Sequence, residues 1–422
     1  MRRLQGTFDL LPQDSARWVW LESRIRAVMA RYSFGEIRVP IMEPTELFQK
    51  GTGETTDIVQ KEMYTLTDRG NRSLTLRPEG TPSVVRAYLE ENLGAQRPLW
   101  KLFYIGPMFR AERPQKGRYR QFHQYGAEMI GAASPSADVE IITLCRDILL
   151  DLGIDDARLI LNSIGSAEAR AAYNANLRQF LIRPEIASGL CEDCRRRTQT
   201  NPLRVFDCKK EGCGRLLRDA PTIDAHLTGE DRQHFEFVTQ SLAGLGIACE
   251  IDLRMVRGLD YYTRTTFEFK TTRLGAQDAL CGGGRYDGLV EVLGGPPTPA
   301  VGFAAGMERI LATLENCGRS GPAPDRLDVF VCAIGDRARS VLGATLGALR
   351  GLGLSADTDF QGRGLKAQMK EAGRAGARVA LIFGDDELAR GQMSLRHMDE
   401  ARQVEISADT STWNRGLFER TA

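Results

Sequence analysis

The stretch that decides the fold is GPMFRAERPQKGRYRQFHQYGAE, Gly106 to Glu128. Its centre is cationic, because basic residues far outnumber acidic ones between positions 110 and 120: Arg110, Arg113, Lys116, Arg118 and Arg120 stand against Glu112 alone. Strand-forming residues lie on both sides of this segment. We therefore predict two long strands, Leu99 to Arg110 and Arg120 to Ile130, joined by a cationic hairpin tip.

The second strand carries polar side chains at even spacing. Side chains two apart on a strand point to the same face, so Phe122, Gln124, Gly126 and Glu128 share one face. An aromatic ring, an amide and a carboxylate around a gap suggest a small-molecule pocket, and guanidinium groups at the tip suit phosphate. The stretch by itself fits equally well with a solvated basic hairpin.

The composition limits the classes of protein that fit this chain. It has 422 residues, 42% hydrophobic and 26% charged, which is typical of a soluble protein of roughly two to three domains. A net charge of +1 gives no global field for a polyanion, so attraction for nucleotides or nucleic acid must be local. No apolar run approaches a membrane span, and the two arginines near the start precede no apolar signal core. We expect a cytoplasmic protein.

The pattern along the chain changes twice. A helix is predicted from Ser15 to Tyr32, capped by Asp14 or Ser15, and a strand broken by Pro40 and Pro44 is predicted over 36–48. A helical, cysteine-bearing insertion spans about 166–246. Two glycine-rich turns are predicted in CGGGRYDG (281–288) and in LGGPPTPAVGFAAGMERI (293–310). After a linker at 318–326, strands and helices alternate, which predicts an α/β domain with a parallel or mixed sheet.

The common phosphate-binding motifs are absent. The sequence has no GxxxxGK[ST] and no GxGxxG between a strand and a helix. Any ATP here must be held by arginine side chains. Three further segments place Arg, Glu or Tyr beside small residues: TLRPEGT (75–81), RGLDYY (257–262) and AVGFAAGMERI (300–310).

Together these segments resemble the histidyl-tRNA synthetases, which are class II aminoacyl-tRNA synthetases, over essentially the whole chain. IRVPIMEPTELF resembles motif 1, the opening stretch resembles motif 2 with Arg110, and AVGFAAGMERI resembles motif 3 with Arg309. RGLDYY and GGGRYDGL resemble the two histidine-specific signatures. The class I signatures HIGH and KMSKS are absent.

The resemblance implies an α+β catalytic domain over 1–320, built on the antiparallel class II synthetase sheet with the helical insertion. It also implies a C-terminal α/β anticodon-binding domain over 327–422 and a homodimer formed through motif 1. The implied reaction uses ATP with Mg²⁺ to convert L-histidine to histidyl-adenylate, and then transfers the histidyl group to the 3′ end of tRNA(His).

The resemblance also implies roles for individual residues. The catalytic cations are Arg110 and Arg257, and the ATP-binding residues are Arg110, Glu112, Arg118, Phe122 and Arg309. The histidine-binding residues are Glu79, Thr81, Gln124, Glu128, Arg257, Tyr261, Tyr262 and Tyr286. Within that set Glu128 is expected to bind one imidazole nitrogen and Tyr262 the other. At the hairpin tip Arg113 and Gln115 are expected to meet the acceptor end of the tRNA.

Four cysteines in the insertion have the pattern C-x2-C-x13-C-x4-C, formed by Cys191, Cys194, Cys208 and Cys213. This approaches the spacing of a zinc ribbon. The resemblance argues against a metal, because the insertion of the family normally folds without one, so buried or free thiols are expected and structural zinc is not. The adjoining Arg195, Arg196 and Arg197 are interpreted either as contacts to the tRNA acceptor arm or as a solvated charge run.

Two other functions compete with the ligase. A regulatory subunit of ATP phosphoribosyltransferase, a catalytically silent paralogue, would bind ligands without catalysing the reaction, but it typically lacks the anticodon domain and has lost the ATP and tRNA determinants. A general ATP-binding protein with an RNA-binding tail would explain the arginines but not the pairing of Glu128 with Tyr262.

Overall fold

The computed structural model describes residues 1–115, 117–274, 278–319, 321, 326–400 and 402–419. Lys116 of the hairpin tip, most of the predicted linker and the last three residues lie outside this part of the chain. The chain forms two compact units, residues 1–322 and 323–422. Among the described helices, none combines the length and the apolar character needed to cross a bilayer.

The first unit is built around an eight-stranded sheet with the order β1-β5-β6-β11-β10-β9-β7-β8. All neighbours are antiparallel except the two edge pairs, β1 with β5 and β7 with β8, which are parallel. The strands are β1 (Gly35–Glu36), β5 (Trp100–Phe109), β6 (Gln121–Ile130), β7 (Arg158–Ser163), β8 (Cys249–Ile251), β9 (Thr263–Lys270), β10 (Ala279–Arg285) and β11 (Ala300–Gly306). The α+β class that the resemblance implied is confirmed.

A three-stranded sheet and several helices complete this unit. The sheet has the order β2-β4-β3, from β2 (Met42–Pro44), β3 (Tyr64–Thr67) and β4 (Ser73–Leu76). The helices outside the insertion are α1 (Pro12–Arg31), α2 (Thr45–Thr52), a π-helical turn (Ile58–Glu62), α3 (Thr81–Glu90), α4 (Leu93–Gln96), α5 (Ser136–Asp151), a 3₁₀ turn (Thr272–Leu274), α11 (Leu289–Val292) and α12 (Met307–Asn316).

The central hairpin forms as predicted, to within one residue at each strand end. β5 and β6 pair from Trp100 opposite Ile130 to Phe109 opposite Gln121. At the tip, Gln115 and Arg118 exchange backbone hydrogen bonds of 3.1 and 2.9 Å. β6 lies between β5 and β11, in the middle of the large sheet. The face that carries Gln124 and Glu128 is therefore central in the sheet.

Two predicted elements in the N-terminal half need correction. Helix α1 begins at Pro12 with Leu11 as its cap, and Asp14 lies in the first turn, because proline presets the helical φ at the first position. The segment 36–48, predicted as a broken strand, contains strand only at Glu36 and in β2. After the short β2 it turns into α2 at Thr45, since Pro44 donates no backbone hydrogen bond and occupies the cap position.

The glycine-rich segments were predicted as turns, and this is wrong for residues 281–285 and 300–306, which form strands, whereas turns lie at 287–288 and 293–294. Residues 282–284 lie within β10 and Gly302 lies within β11, in antiparallel register with each other. A Cβ on Gly283 would collide with the carbonyl oxygen of Gly302, and a Cβ on Gly302 would collide with the carboxylate of Glu128. Glycine is required here by close approach to neighbouring groups, which sequence alone does not distinguish from a turn.

The insertion is helical, as predicted, and has its own small apolar core. Its elements are α6 (Ala167–Leu181), α7 (Pro184–Ala187), α8 (Glu192–Thr200), a 3₁₀ turn (Pro202–Asp207), α9 (Glu211–Leu216), a second 3₁₀ turn (Ile223–His226) and α10 (Gly229–Gly244). The core includes Tyr173, Leu177, Val205 and Leu217.

The second unit contains a five-stranded mixed sheet with the order β13-β12-β14-β15-β16. Its elements are β12 (Val329–Ile334), α13 (Asp336–Gly351), β13 (Ala356–Thr358), α14 (Leu365–Arg374), β14 (Val379–Gly384), α15 (Asp385–Ala389), β15 (Gln392–His397), β16 (Gln403–Ser407) and two 3₁₀ turns (Thr410–Thr412 and Arg415–Leu417). The predicted strands pair in parallel, whereas β15 and β16 add antiparallel pairs that the sequence analysis missed.

Candidate active site

A polar cavity opens over the middle of the large sheet. Every residue that the sequence analysis assigned to ATP or histidine lines this one cavity: Glu79, Thr81, Arg110, Glu112, Arg118, Phe122, Gln124, Glu128, Arg257, Tyr261, Tyr262, Tyr286 and Arg309. They come from distant points of the sequence.

A buried carboxylate closes one end of the cavity. Glu128 is 1% exposed, and its two oxygens accept hydrogen bonds of 2.6 Å from the hydroxyls of Thr81 and Tyr286. Burial raises the pKa of Glu128 to about 8, although both hydrogen bonds act in the opposite direction. The carboxyl group is thus held in a fixed position and exchanges its proton near neutral pH.

A second buried carboxylate, Glu79, lies beside it. Glu79 accepts hydrogen bonds from the hydroxyls of Thr52 at 2.5 Å and Tyr261 at 2.9 Å. Burial raises its pKa, while the hydrogen bond from Thr52 and the charge of Arg110 lower it. Nearby, the amide oxygen of Gln124 is buried and has no hydrogen-bond partner among the described residues. An acceptor left without a donor in this way is suited to a ligand that brings one.

Three tyrosines line the cavity beside these carboxylates. The ring of Tyr261 lies 4.8 Å from that of Tyr262 and 5.6 Å from that of Tyr286, measured between centroids. Burial raises the pKa of Tyr262 to about 12, so its hydroxyl keeps its proton and can donate. The structure therefore brings Tyr262 to the same pocket as Glu128, whose direct hydrogen-bond partners are Thr81 and Tyr286.

The opposite end of the cavity is cationic. The guanidinium of Arg110 lies 5.3 Å from the ring centre of Phe122, and its Nε donates to the carbonyl oxygen of Pro78 at 2.9 Å. Arg118 pairs with Glu112 at 3.0 Å. Burial lowers the pKa of Arg309, and the charge of Arg118 lowers it further. Several cations held close together create a strong local field for an anion.

Arg257 lies in the cavity wall with a partner that the sequence analysis did not name. It forms an ion pair with Glu268 on β9, which also lies 3.3 Å from the ammonium of Lys270. Burial alone would lower the pKa of Arg257, but the charge of Glu268 raises it overall. A Cβ on Gly282 would lie 2.6 Å from the Arg257 guanidinium. The absence of a side chain at Gly282 on β10 therefore leaves the space that the Arg257 guanidinium occupies.

The sequence analysis missed two contacts around the cavity, because each joins residues that are far apart in the chain. On motif 3, Glu308 accepts hydrogen bonds from the backbone N–H of His123 at 2.8 and 3.1 Å. It ties α12 to β6, next to Arg309. The other is Thr52, at the end of α2, which holds Glu79. For Glu268, the partner of Arg257, the sequence offered one signal: Glu268 and Lys270 lie two residues apart on a strand, which places them on the same face.

The remaining predicted positions lie away from the cavity wall. Arg113 and Gln115 are exposed near the hairpin tip. In the insertion, Arg197 forms an ion pair with Asp57 at 2.8 Å and Arg196 donates to Gln60 at 2.8 Å. These two arginines therefore contact another part of the same unit, which neither interpretation from the sequence included.

The four cysteines of the insertion lie together. All four Sγ atoms are within 4.8 Å of one another. Among the described residues, no other group of three or more His, Cys, Asp or Glu side chains lies close enough together to hold a metal ion. Cys194 and Cys213 are buried, and Cys191 and Cys208 are half-buried.

The family comparisons agree with this arrangement. A family model described as histidyl-tRNA synthetase matches residues 6–310, and one described as an anticodon binding domain matches residues 328–411. A histidine–tRNA ligase of Halothermothrix orenii is 49% identical over 402 residues, covering 95% of this chain and 96% of that protein. A histidine–tRNA ligase of Acetivibrio thermocellus is 48% identical over 406 residues, covering 96% and 97%.

Solved structures give the same match. The crystal structure of the apo histidyl-tRNA synthetase of S. aureus has a TM-score of 0.82 at 37% identity, covering 97% of this chain and 98% of that one. A structure described as an ATP phosphoribosyltransferase regulatory subunit/histidyl-tRNA synthetase from Bacillus halodurans has a TM-score of 0.65 at 19% identity, covering 91% and 98%. At that identity the likeness shows the fold alone.

Proposed function

Since the chain belongs to the histidyl-tRNA synthetase family, we propose that the residues of the polar cavity carry out the two steps of its reaction. The chain is a histidine–tRNA ligase, so the resemblance, the enzyme class and the fold class predicted from the sequence are confirmed. The regulatory paralogue is less well supported, because the similar ligases extend over nearly the whole chain at 48–49% identity.

One observation carries the assignment of the residues. A single cavity is lined by a buried carboxylate, Glu128, and by a cluster of arginines that includes Arg110 and Arg309. These groups mark two ends, because Glu128 lies six residues along β6 from Phe122, which contacts Arg110. The first end suits a small ligand with hydrogen-bond donors, and the second suits a polyphosphate. Histidine and ATP are two ligands of those kinds that must meet for an adenylate to form.

At the histidine end, the proposed contacts satisfy both ring nitrogens. Glu128 accepts from one imidazole nitrogen, and the hydroxyl of Tyr262 bonds the other. Glu79, Thr81 and Gln124 hold the α-ammonium group, which supplies the donor that the buried Gln124 oxygen lacks. A site that bonds both nitrogens rejects analogues without them, because its buried polar groups would then be left unpaired.

At the ATP end, Phe122 stacks on the adenine, with Glu112 near its exocyclic amine and Arg309 over its other face. Arg118 and Arg309 hold the β- and γ-phosphates. ATP brings Mg²⁺ with it. Glu112 and Glu308, the carboxylates at this end, are already paired with Arg118 and His123, which fits a hydrated ion that is held mainly by the phosphates.

In the first step the histidine carboxylate attacks the α-phosphorus, the bond to the bridging oxygen breaks and pyrophosphate leaves. Negative charge grows on the α-phosphate oxygens in the transition state. Arg110 and Arg257 stabilise that charge from fixed positions. Arg257 is held by Glu268, so little reorganisation is needed when the charge develops.

In the second step a hydroxyl of the 3′-terminal adenosine attacks the carbonyl carbon of the adenylate, and AMP leaves. Residues 1–320, including the insertion over about 166–246, carry both chemical steps, and residues 327–422 bind the anticodon. Arg113 and Gln115, both exposed, contact the acceptor end of the tRNA. The protein acts in the cytoplasm.

The assembly is a homodimer formed through the motif 1 region. Ile41 and Met42 of that region are apolar and 44% and 53% exposed in the isolated chain, which favours their burial in an interface. Sedimentation should give twice the mass of the chain, and a monomer would contradict the proposal.

The test of the whole assignment is histidine-dependent exchange of pyrophosphate into ATP. The folded protein should catalyse the exchange with histidine and form histidyl-tRNA when tRNA(His) is added. No exchange at saturating histidine would overturn the assigned roles.

A further inference from the structure

The helical insertion gathers four sulfur atoms at one point. The Sγ atoms of Cys191 and Cys208 lie 3.9 Å apart, and all four lie within 4.8 Å of one another. A tetrahedral zinc ion with Zn–S bonds of about 2.3 Å separates its sulfur ligands by about 3.8 Å. All four cysteines are free of disulfides. We propose that Cys191, Cys194, Cys208 and Cys213 bind one structural zinc ion, contrary to the expectation from the family resemblance.

The local structure orients these thiols toward a common centre. Cys191 caps helix α8 and Cys194 lies in its first turn, so their side chains are on the same side of the helix. The backbone N–H of Cys191 donates to the Sγ of Cys213 at 3.3 Å. Hydrogen bonds from the backbone to ligating sulfur are typical of the groups that orient metal ligands.

The chemistry of the four ligands selects the ion. Thiolates prefer soft or borderline metals, so magnesium and calcium are excluded, and four sulfurs in a tetrahedron favour zinc. Binding releases a proton from each thiol. The zinc–thiolate group then carries two negative charges, and the adjoining Lys209 and Lys210, both exposed, add positive charge next to Cys208.

The insertion gains stability from such a crosslink. Between positions 184 and 220 its elements are short, with α7 of 4, α8 of 9 and α9 of 6 residues, and helices of this length are marginal by themselves. Cys194 and Cys213 already belong to the small core of the insertion. A metal that joins α8 to α9 holds this segment where apolar burial is limited.

The stabilised segment contacts the surroundings of the cavity. Asn201 donates to the carboxylate of Asp260 at 2.8 Å, next to Tyr261. Arg204 and Arg197 both pair with Asp57, at 3.3 and 2.8 Å. Zinc therefore acts as a structural support for the histidine-binding wall and takes no part in the chemistry.

The proposal is tested by metal analysis of the full chain purified without chelators or an affinity metal. Elemental analysis should find one zinc per chain. Substitution by Co²⁺ should give the visible absorption and sulfur-to-metal charge-transfer bands of a tetrahedral thiolate site. The double variant C191S/C208S removes the two half-buried ligands and should lose both signals. C249S replaces a half-buried cysteine outside the cluster and should keep them.

Each other outcome overturns the proposal. These are wild-type protein that contains no zinc and takes up none under reducing conditions, zinc retained by C191S/C208S, iron in place of zinc, or disulfides within the cluster by mass spectrometry. If the double variant does not fold, the zinc content and cobalt spectrum of the wild-type protein still decide. Neither measurement depends on ligase activity, so failure here is distinct from failure of the assigned catalytic roles.

Discussion

Replacing Glu128 by glutamine tests the histidine end of the cavity most directly. The side chain keeps its shape and remains between Thr81 and Tyr286, but it loses the carboxylate that accepts from the imidazole. A hydrogen bond to a charged group contributes about 1.5–3 kcal/mol. Glu128→Gln should therefore lower kcat/KM for histidine roughly 10- to 150-fold. The KM for ATP should change little, because ATP binds at the arginine end.

The pH dependence gives this prediction a second readout. Burial raises the pKa of Glu128 to about 8, and a protonated carboxyl cannot accept from the imidazole. At pH 7 only about one tenth of the free sites is ionised, so histidine binds about tenfold more weakly than above the pKa. In the wild type, kcat/KM for histidine should rise with pH up to about pH 8. In E128Q this rise should move to the titration of free imidazole, near pH ~6.5.

Pyrophosphate exchange at varied histidine and pH measures both effects. The matched control is Glu43→Gln, which neutralises a buried glutamate outside the cavity that pairs with Arg86. A folded E128Q enzyme with kcat/KM for histidine within twofold of wild type at pH 8.5, or with an unchanged pH profile, would refute the role of Glu128.

Three further substitutions test other parts of the cavity. Arg257→Ala should lower the rate of adenylate formation at least ~100-fold while histidine still binds by calorimetry; exchange near the wild-type rate would contradict its role. Phe122→Ala should lower kcat/KM for ATP about 5- to 150-fold through lost stacking, and an unchanged value in exchange kinetics would exclude adenine from this ring. Gly302→Ala should abolish histidine binding, because its methyl group collides with the Glu128 carboxylate. Gly288→Ala is the control, because a methyl group there meets open space. Equal histidine affinity in both variants would show that the backbone of β11 shifts to accommodate the methyl group, and would contradict the prediction.

Local patterns were sufficient for the central hairpin and for the polar face of β6. Phe122, Gln124 and Glu128 are predicted to share a face from this strand alone, because side chains two residues apart on a strand point to the same side. The predictions for the strand residues of the two glycine-rich segments were wrong because they depend on partners from other strands. A glycine in a turn and a glycine in a crowded strand look the same in sequence, and only the positions of Glu128 and Arg257 make the second reading correct.

Partners on other strands and helices were also beyond the sequence. Glu268 lies eleven residues after Arg257 and carries no motif, yet it holds that guanidinium in place. The hydrogen bond from Thr81 to Glu128 joins residues 47 positions apart. The cysteine spacing was visible, but the closeness of the four sulfurs depends on how α8, α9 and the turn between them pack.

By itself, the sequence determined the chemical types available to this protein: arginines for phosphate, carboxylates and tyrosines for a polar ligand, and four thiols in metal-like spacing. The α+β class of the first unit followed from the family resemblance, and the α/β class of the second unit followed from the local periods of its strands and helices. Only the tertiary structure decided which of these groups share a cavity, which buried carboxyl titrates near neutral pH, and which glycines leave room for them. Those properties depend on distance and burial between segments far apart in the chain, and no local pattern encodes them.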